Sequence, residues 1–258
     1  MKTTRHFLTM INLQAFVVVG LSMIAVYFCL LFELTVNMPT GLIGVAIVFP
    51  IVFSINAAYR RREEALSAYA AIKGHTVAMV FAHRDWIPNQ DPDHEARMCF
   101  LAERLFVTLK SYFIDAKVHD QDRFDDVYEV FSDVSNSIET LRIAGVPANE
   151  VSRVNQYLRN VMIDFEKMRN ILVYRTPTSL RAYSQVFLNT FPILFAPYFA
   201  YITEQHATYS GYFVAGLYGL VLVCLENVQE RLENPYDGFG EDDIRFNTLD
   251  HYRHILPK

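Results

Sequence analysis

The sequence is poor in cysteine. Its three cysteines, Cys29, Cys99 and Cys224, are scattered, so neither a disulfide framework nor a zinc spacing can be built from them, and each reads as a small buried hydrophobe. There is no surplus of positive charge either: the net charge is −5, which gives no reason to expect nucleic-acid binding. A glycine-rich phosphate loop, a nucleophile elbow and a metal-protease helix motif are all absent. Three fragments imitate known chemistry without its context. His83-Arg84-Asp85 copies part of a kinase catalytic loop but sits on a helix leaving an apolar run. Asp120-Gln121-Asp122 starts like a calcium loop, yet its fifth position is Phe124 and the required glycine is missing. His251 and His254 flank Arg253 near the C-terminus and read as solvated. No catalytic group stands in a working constellation, so an enzyme is not expected. No internal repeat, low-complexity linker or strand of any length is legible.

What the sequence has in abundance is apolar surface: 52% hydrophobic residues, including 20 Phe and 15 Tyr. The mean hydropathy of +0.14 averages very uneven segments. Four runs carry no Asp, Glu, Lys or Arg: Ile11–Phe32, Leu34–Tyr59, Ala182–Thr203 (broken by Pro192 and Pro197) and Gln205–Leu225. About 20 residues at roughly 1.5 Å each cross a bilayer core, so each run is long enough to span. The basic N-terminus has the flavour of a signal peptide, but the first run is too long for a signal core and lacks a small-residue cleavage site; it reads as a retained span. The fold class expected is an all-α membrane protein: four transmembrane helices in two hairpins with a helical cytosolic domain. The expected division is 1–60 for the first hairpin, 61–181 for the cytosolic block, 182–228 for the second hairpin and 229–258 for the tail.

Orientation follows from the basic residues. The short hairpin turns carry Glu33, Glu204 and His206 but no Lys or Arg, and all 23 Lys and Arg lie in the two tails or the central block. The positive-inside rule then places both termini and residues 61–181 in the cytoplasm. Within the block, Arg61–Trp86 prolongs the second span as a helix. Asp91 followed by Pro92 marks a helix start, with Asp93 and Glu95 suiting its positive end. Met98, Leu101, Leu105, Leu109 and Phe113 repeat at helical spacing. A further helix covers Arg123–Ala144 and stops at Gly145. Pro147 opens another, with Val151, Val154, Leu158, Val161, Phe165, Met168 and Leu172 along one side. These stripes read as core packing between helices.

Two stretches carry function. Between Met38 and Arg62, Val45, Phe49 and Phe53 stand at i, i+4 and i+8, one stripe about 12 Å long. Taken alone, such a stripe in a membrane helix faces lipid. Pro50 removes one backbone hydrogen bond inside the run and should bend it. After the fourth run, Glu226, Glu230 and Glu233 share roughly one helix face and lead into Asn234-Pro235-Tyr236 and Glu241-Asp242-Asp243. The two readings of this segment are a solvated acidic exit from the membrane and a hard-cation site.

Three places together resemble the bestrophins and their bacterial relatives. Phe53-Ser54-Ile55-Asn56-Ala57-Ala58-Tyr59-Arg60-Arg61 is similar to the end of the bestrophin pore helix, with Arg62-Glu63 where tryptophans are usual. Arg175-Thr176-Pro177-Thr178-Ser179, followed by Ala182-Tyr183, resembles the segment before the third span in bacterial members. Glu233-Asn234-Pro235-Tyr236 and Gly240-Glu241-Asp242-Asp243 resemble the signature after the fourth span, here with three extra residues, Asp237-Gly238-Phe239.

The resemblance implies the pore-forming subunit of a homopentameric ion channel in membrane lipid, passing inorganic ions, chloride-type anions first. Val45, Phe49 and Phe53 fall where the family places its hydrophobic neck, a gate that closes by dewetting. Thr178 falls at the narrow cytosolic aperture, where bacterial relatives carry Ile. No cofactor is required. Asp242 and Asp243 match the calcium clasp of animal members, and calcium is the one ligand the family raises. The location implied is the bacterial inner (plasma) membrane, and the short tail is that of a minimal bacterial form. The alternatives are a monovalent-cation channel of the same fold and a non-conducting membrane scaffold or sensor.

Overall fold

The computed structural model describes residues 12–88, 92–115, 121–174, 178–207, 209–238 and 243–252. The chain divides into two compact units, residues 1–60 with 176–233, and 61–175 with 234–258. Among the described residues every regular element is helical.

The first unit is built from α1 (Leu13–Leu31), the start of α2 (Thr40–Asp85), α6 (Thr178–Leu194), α7 (Ala196–Gln205) and α8 (Ser210–Glu233). Asn12 caps α1: its side-chain oxygen accepts from the Ala15 N–H at 3.0 Å, satisfying one of the donors a helix start leaves orphaned. The chain leaves α1 through Glu33, whose φ of 53° lies in the left-handed region. Pro50 lies inside α2 without ending it. The third apolar run folds as two helices that break at Phe195, between its two prolines. Pro197 sits in the first turn of α7, where a missing N–H leaves no bond unmade. Val26, Ile51, Leu188, Phe195, Phe199 and Leu222 form the core of this unit. The one buried hydroxyl of α1, Ser22, donates to the carbonyl oxygens of Val19 at 2.9 Å and Ala215 at 3.4 Å. Among the described residues four helical stretches are long and apolar enough to cross a membrane, and the chain is an integral membrane protein.

The second unit holds the rest of α2, α3 (Pro92–Lys110, running into a π-turn at Ser111–Asp115), α4 (Gln121–Ile143), α5 (Ala148–Val173) and the short α9 (Thr248–Tyr252). The amphipathic stripes read from the sequence all face inward: Met98, Leu101, Leu105, Leu109 and Phe113 are buried, as are Val151, Val154, Leu158, Val161, Phe165, Met168 and Leu172. Helix α4 ends as expected. Gly145 takes φ +89°, the Val146 N–H bonds back to Leu141 O at 3.1 Å and the Gly145 N–H to Arg142 O at 3.1 Å. That paired closure satisfies the last carbonyls of the helix, and glycine adopts the left-handed geometry without a Cβ clash. Phe165 is the hub, with the rings of Tyr112, Phe113 and Phe131 at 5.4, 5.9 and 5.7 Å in edge-on geometry. Such pairs contribute roughly 0.5–1.5 kcal/mol each beyond their buried area.

Candidate functional site

Helix α2 presents two unlike faces in the first unit. Ile51, Ser54 and Ala58, spaced i, i+3, i+7, are buried at 3%, 2% and 2% exposure. Phe49 and Phe53 lie on another face and stay 57% and 64% exposed. Their ring centroids are 5.8 Å apart and tilted by 41°, so within one chain they touch each other and present a continuous apolar surface outward. The side chains of Val45 and Thr178 lie outside the described set; the backbone places Val45 in α2 and Thr178 as the first residue of α6.

Within the second unit the C-terminal end of α5 is held by two donors. The last turn of α5 has carbonyls with no intrahelical partner. The Arg61 guanidinium donates to two of them, Ile171 O at 2.9 Å and Tyr174 O at 2.5 Å, an arginine placed where the negative end of the helix dipole favours it. One turn earlier the Tyr236 hydroxyl donates to Met168 O at 3.1 Å. Tyr236 is 1% exposed, and its ring packs on Phe113 at 4.8 Å. Burial pushes its phenol well above the ordinary tyrosine range, so it remains a donor at any working pH. Phe246 stacks on Phe113 at 5.6 Å and lies 6.2 Å from the Tyr236 ring, and the Ile244 N–H closes the tail loop on Pro235 O at 2.9 Å. The segment that sequence reasoning treated as an acidic tail is therefore pinned into the helical unit by two aromatic residues. The available signal was an apolar pair, Tyr236 and Phe246, within an otherwise polar stretch.

The three glutamates at the end of α8 separate. Glu230 is exposed, but Glu226 and Glu233 are buried at 7% and 5%. Glu226 accepts from Gln14 Nε2 at 3.1 Å, and the same amide reaches Asn189 Oδ1 at 3.1 Å, tying α1, α6 and α8 together. A uniformly solvated exit does not describe this end: polar partners from neighbouring helices compensate the buried Glu226 carboxylate. Asp242 lies outside the described residues, and Asp243 is half-buried. Among the described residues no group of three or more His, Cys, Asp or Glu side chains gathers to hold a metal ion.

No family profile matches the sequence, and no curated protein matches it. Solved structures do match in fold. A point variant of a bacterial bestrophin homologue from Klebsiella pneumoniae superposes with TM-score 0.79 at 17% identity, covering 94% of this chain and 96% of that one. A second point variant gives 0.79 at 17% identity over 95% and 98% of the two chains. The same homologue phased on zinc gives 0.78 at 17% identity over 94% and 96%. At this identity the likeness shows the fold, and the fold is bestrophin-like.

Proposed function

We propose, from the bestrophin fold of this chain, that it is the pore-forming subunit of a homopentameric ion channel that conducts small anions such as chloride. The observation that carries the reading is the exposed Phe49–Phe53 surface of α2. A single helix cannot enclose a conduit, but five copies related by a rotation axis can, and the apolar stripe then faces inward. Rings of Val45, Phe49 and Phe53 form a neck that offers no polar partner to an ion, so the water column there dries readily and opposes conduction. Thr178, at the head of α6, forms the cytosolic aperture. The test is twofold. Mass measurement of the detergent-solubilised protein is expected to give a pentamer, and a planar bilayer under a salt gradient a current reversing toward the chloride equilibrium potential. A monomer or dimer without current points to a scaffold; reversal at the potassium potential points to a cation channel.

Both termini and residues 61–181 face the cytoplasm in this reading, and the membrane is the bacterial inner membrane. The Lys and Arg asymmetry supports the orientation. A cysteine introduced in the turn Glu204–Ser210 is expected to react with an impermeant thiol reagent added outside intact cells. Labelling only from the cytoplasmic side reverses the topology.

Calcium is the remaining ligand to test. A calcium ion takes about six to eight oxygen ligands, and the described part of the acidic tail gathers no carboxylate cluster around Asp243. The channel is proposed to need no resident metal. If Asp242 and Asp243 do bind calcium, replacing both with Asn abolishes calcium-dependent changes in conductance and melting temperature. The expected result is that the parent protein shows no such changes.

A further inference from the structure

We infer that Arg60 is the residue that makes the pore anion-selective; this rests on the pore reading of α2 given above. At about 100° per residue, Arg60 falls about 20° from the direction of Phe49, between Phe49 and Phe53 in angle and two turns beyond Phe53. Asn56, one turn earlier, falls about 20° to the other side. Both are exposed. The stripe therefore changes from apolar rings to an amide and then to a fixed positive charge.

Its neighbours in the triplet have other work. Arg61 donates to the carbonyl oxygens of Ile171 and Tyr174, and Arg62 pairs with Glu63 at 2.6 Å. Arg60 makes no ion pair or side-chain hydrogen bond among the described residues. Neither carboxylate that follows lies nearer the neck. Glu63 is held by Arg62, and Glu64 comes one turn beyond Arg60, about 20° past the Phe53 direction in the helical register. The first uncompensated charge an ion meets beyond the neck is a guanidinium, repeated five times around the axis.

An ion entering or leaving a dry apolar neck has lost part of its hydration, so the sign of the nearest ring of charge dominates its choice. Five arginines attract small monovalent anions and repel cations. The apolar neck itself contributes a barrier without a sign. Gate and charge selector are in this way separate residues on one helix stripe.

The experiment compares reversal potentials of the full-length protein in planar bilayers under a potassium chloride gradient. Arg60→Gln is expected to lower the chloride-to-potassium permeability ratio at least tenfold, Arg60→Glu to invert it, and Arg60→Lys to keep it. Attaching an ethylsulfonate to Arg60→Cys from the cytoplasmic side is expected to invert the ratio and an ethylammonium to restore it. This second route introduces the charge after assembly. An unchanged ratio in Arg60→Gln, while Phe49→Ala still alters the current, overturns the role of Arg60 and leaves the neck in place. If neither position alters any current, the pore reading falls as well.

Discussion

Replacing Phe49 and Phe53 with alanine is expected to raise unitary conductance or open probability several-fold while leaving the oligomer intact. Both rings are more than half exposed in the subunit, so their removal takes little from the folding of one chain. Exposed substitutions of this kind shift stability by roughly 0.5 kcal/mol. What they remove is the apolar constriction. An aromatic ring covers on the order of 150–250 Å², and without it the neck is wider and stays wet, so an ion passes with more of its hydration shell. Single-channel recordings of Phe49→Ala, Phe53→Ala and the double substitution beside the parent measure this directly. The lipid-facing alternative predicts a different outcome: unitary current and gating unchanged, with at most a small loss of thermal stability. Parent-like currents in all three variants would place the stripe against lipid and remove the neck from the channel.

The largest structural effect is expected at Gly211, near the start of α8. A Cβ at this position would overlap the carbonyl oxygen of Phe199 and the hydroxyl of Thr203, and would come within 2.8 Å of the Phe199 carbonyl carbon. Two of those three atoms belong to backbone, which cannot step aside without moving α7. Gly211→Ala should cost about 3 kcal/mol or more through overpacking. The expected readout is a collapsed peak in fluorescence-detected size exclusion and a sharply lower melting temperature. The other glycines of α8 serve as controls. At Gly216 the obstruction is the Met23 Cε at 2.6 Å, the far end of a flexible side chain, and at Gly219 the nearest atoms lie at 3.7–3.8 Å, ordinary contact. The melting temperatures are therefore expected in the order Gly219→Ala, Gly216→Ala, Gly211→Ala, highest first. A Gly211→Ala protein as stable as the parent would contradict the close approach of α7 and α8.

Much of the helical layout could be read from residue order because its causes are local. Gly145 stops α4, Pro147 precedes α5, and the buried stripe from Met98 to Phe113 follows from three- and four-residue spacing. The four apolar runs were equally legible, since length and the lack of charge suffice for a span. The helix break at Phe195 was less so. Pro192 and Pro197 both announce an interruption, yet Pro192 is accommodated inside α6 and Pro197 begins α7. Which proline a helix tolerates depends on where its freed carbonyl finds cover.

Composition and pattern thus determined that this chain is all-helical, that it belongs in a membrane, and which residues of α3 and α5 form a core. Each depends on interactions within a turn or two of helix, or on the bulk difference between lipid and water. Tertiary structure decided the rest. It turned Ile51, Ser54 and Ala58 inward and left Phe49 and Phe53 outside. Within an arginine triplet of identical chemistry, it assigned Arg61 to the end of α5 and Arg62 to Glu63. It buried Glu226 against Gln14, 212 positions away in sequence, and fixed the tail through Tyr236 on Met168, 68 positions away. A hydrophobic face is a property of one helix, whereas the partner that covers it, or the carbonyl that needs a donor, exists only once a distant segment has packed beside it.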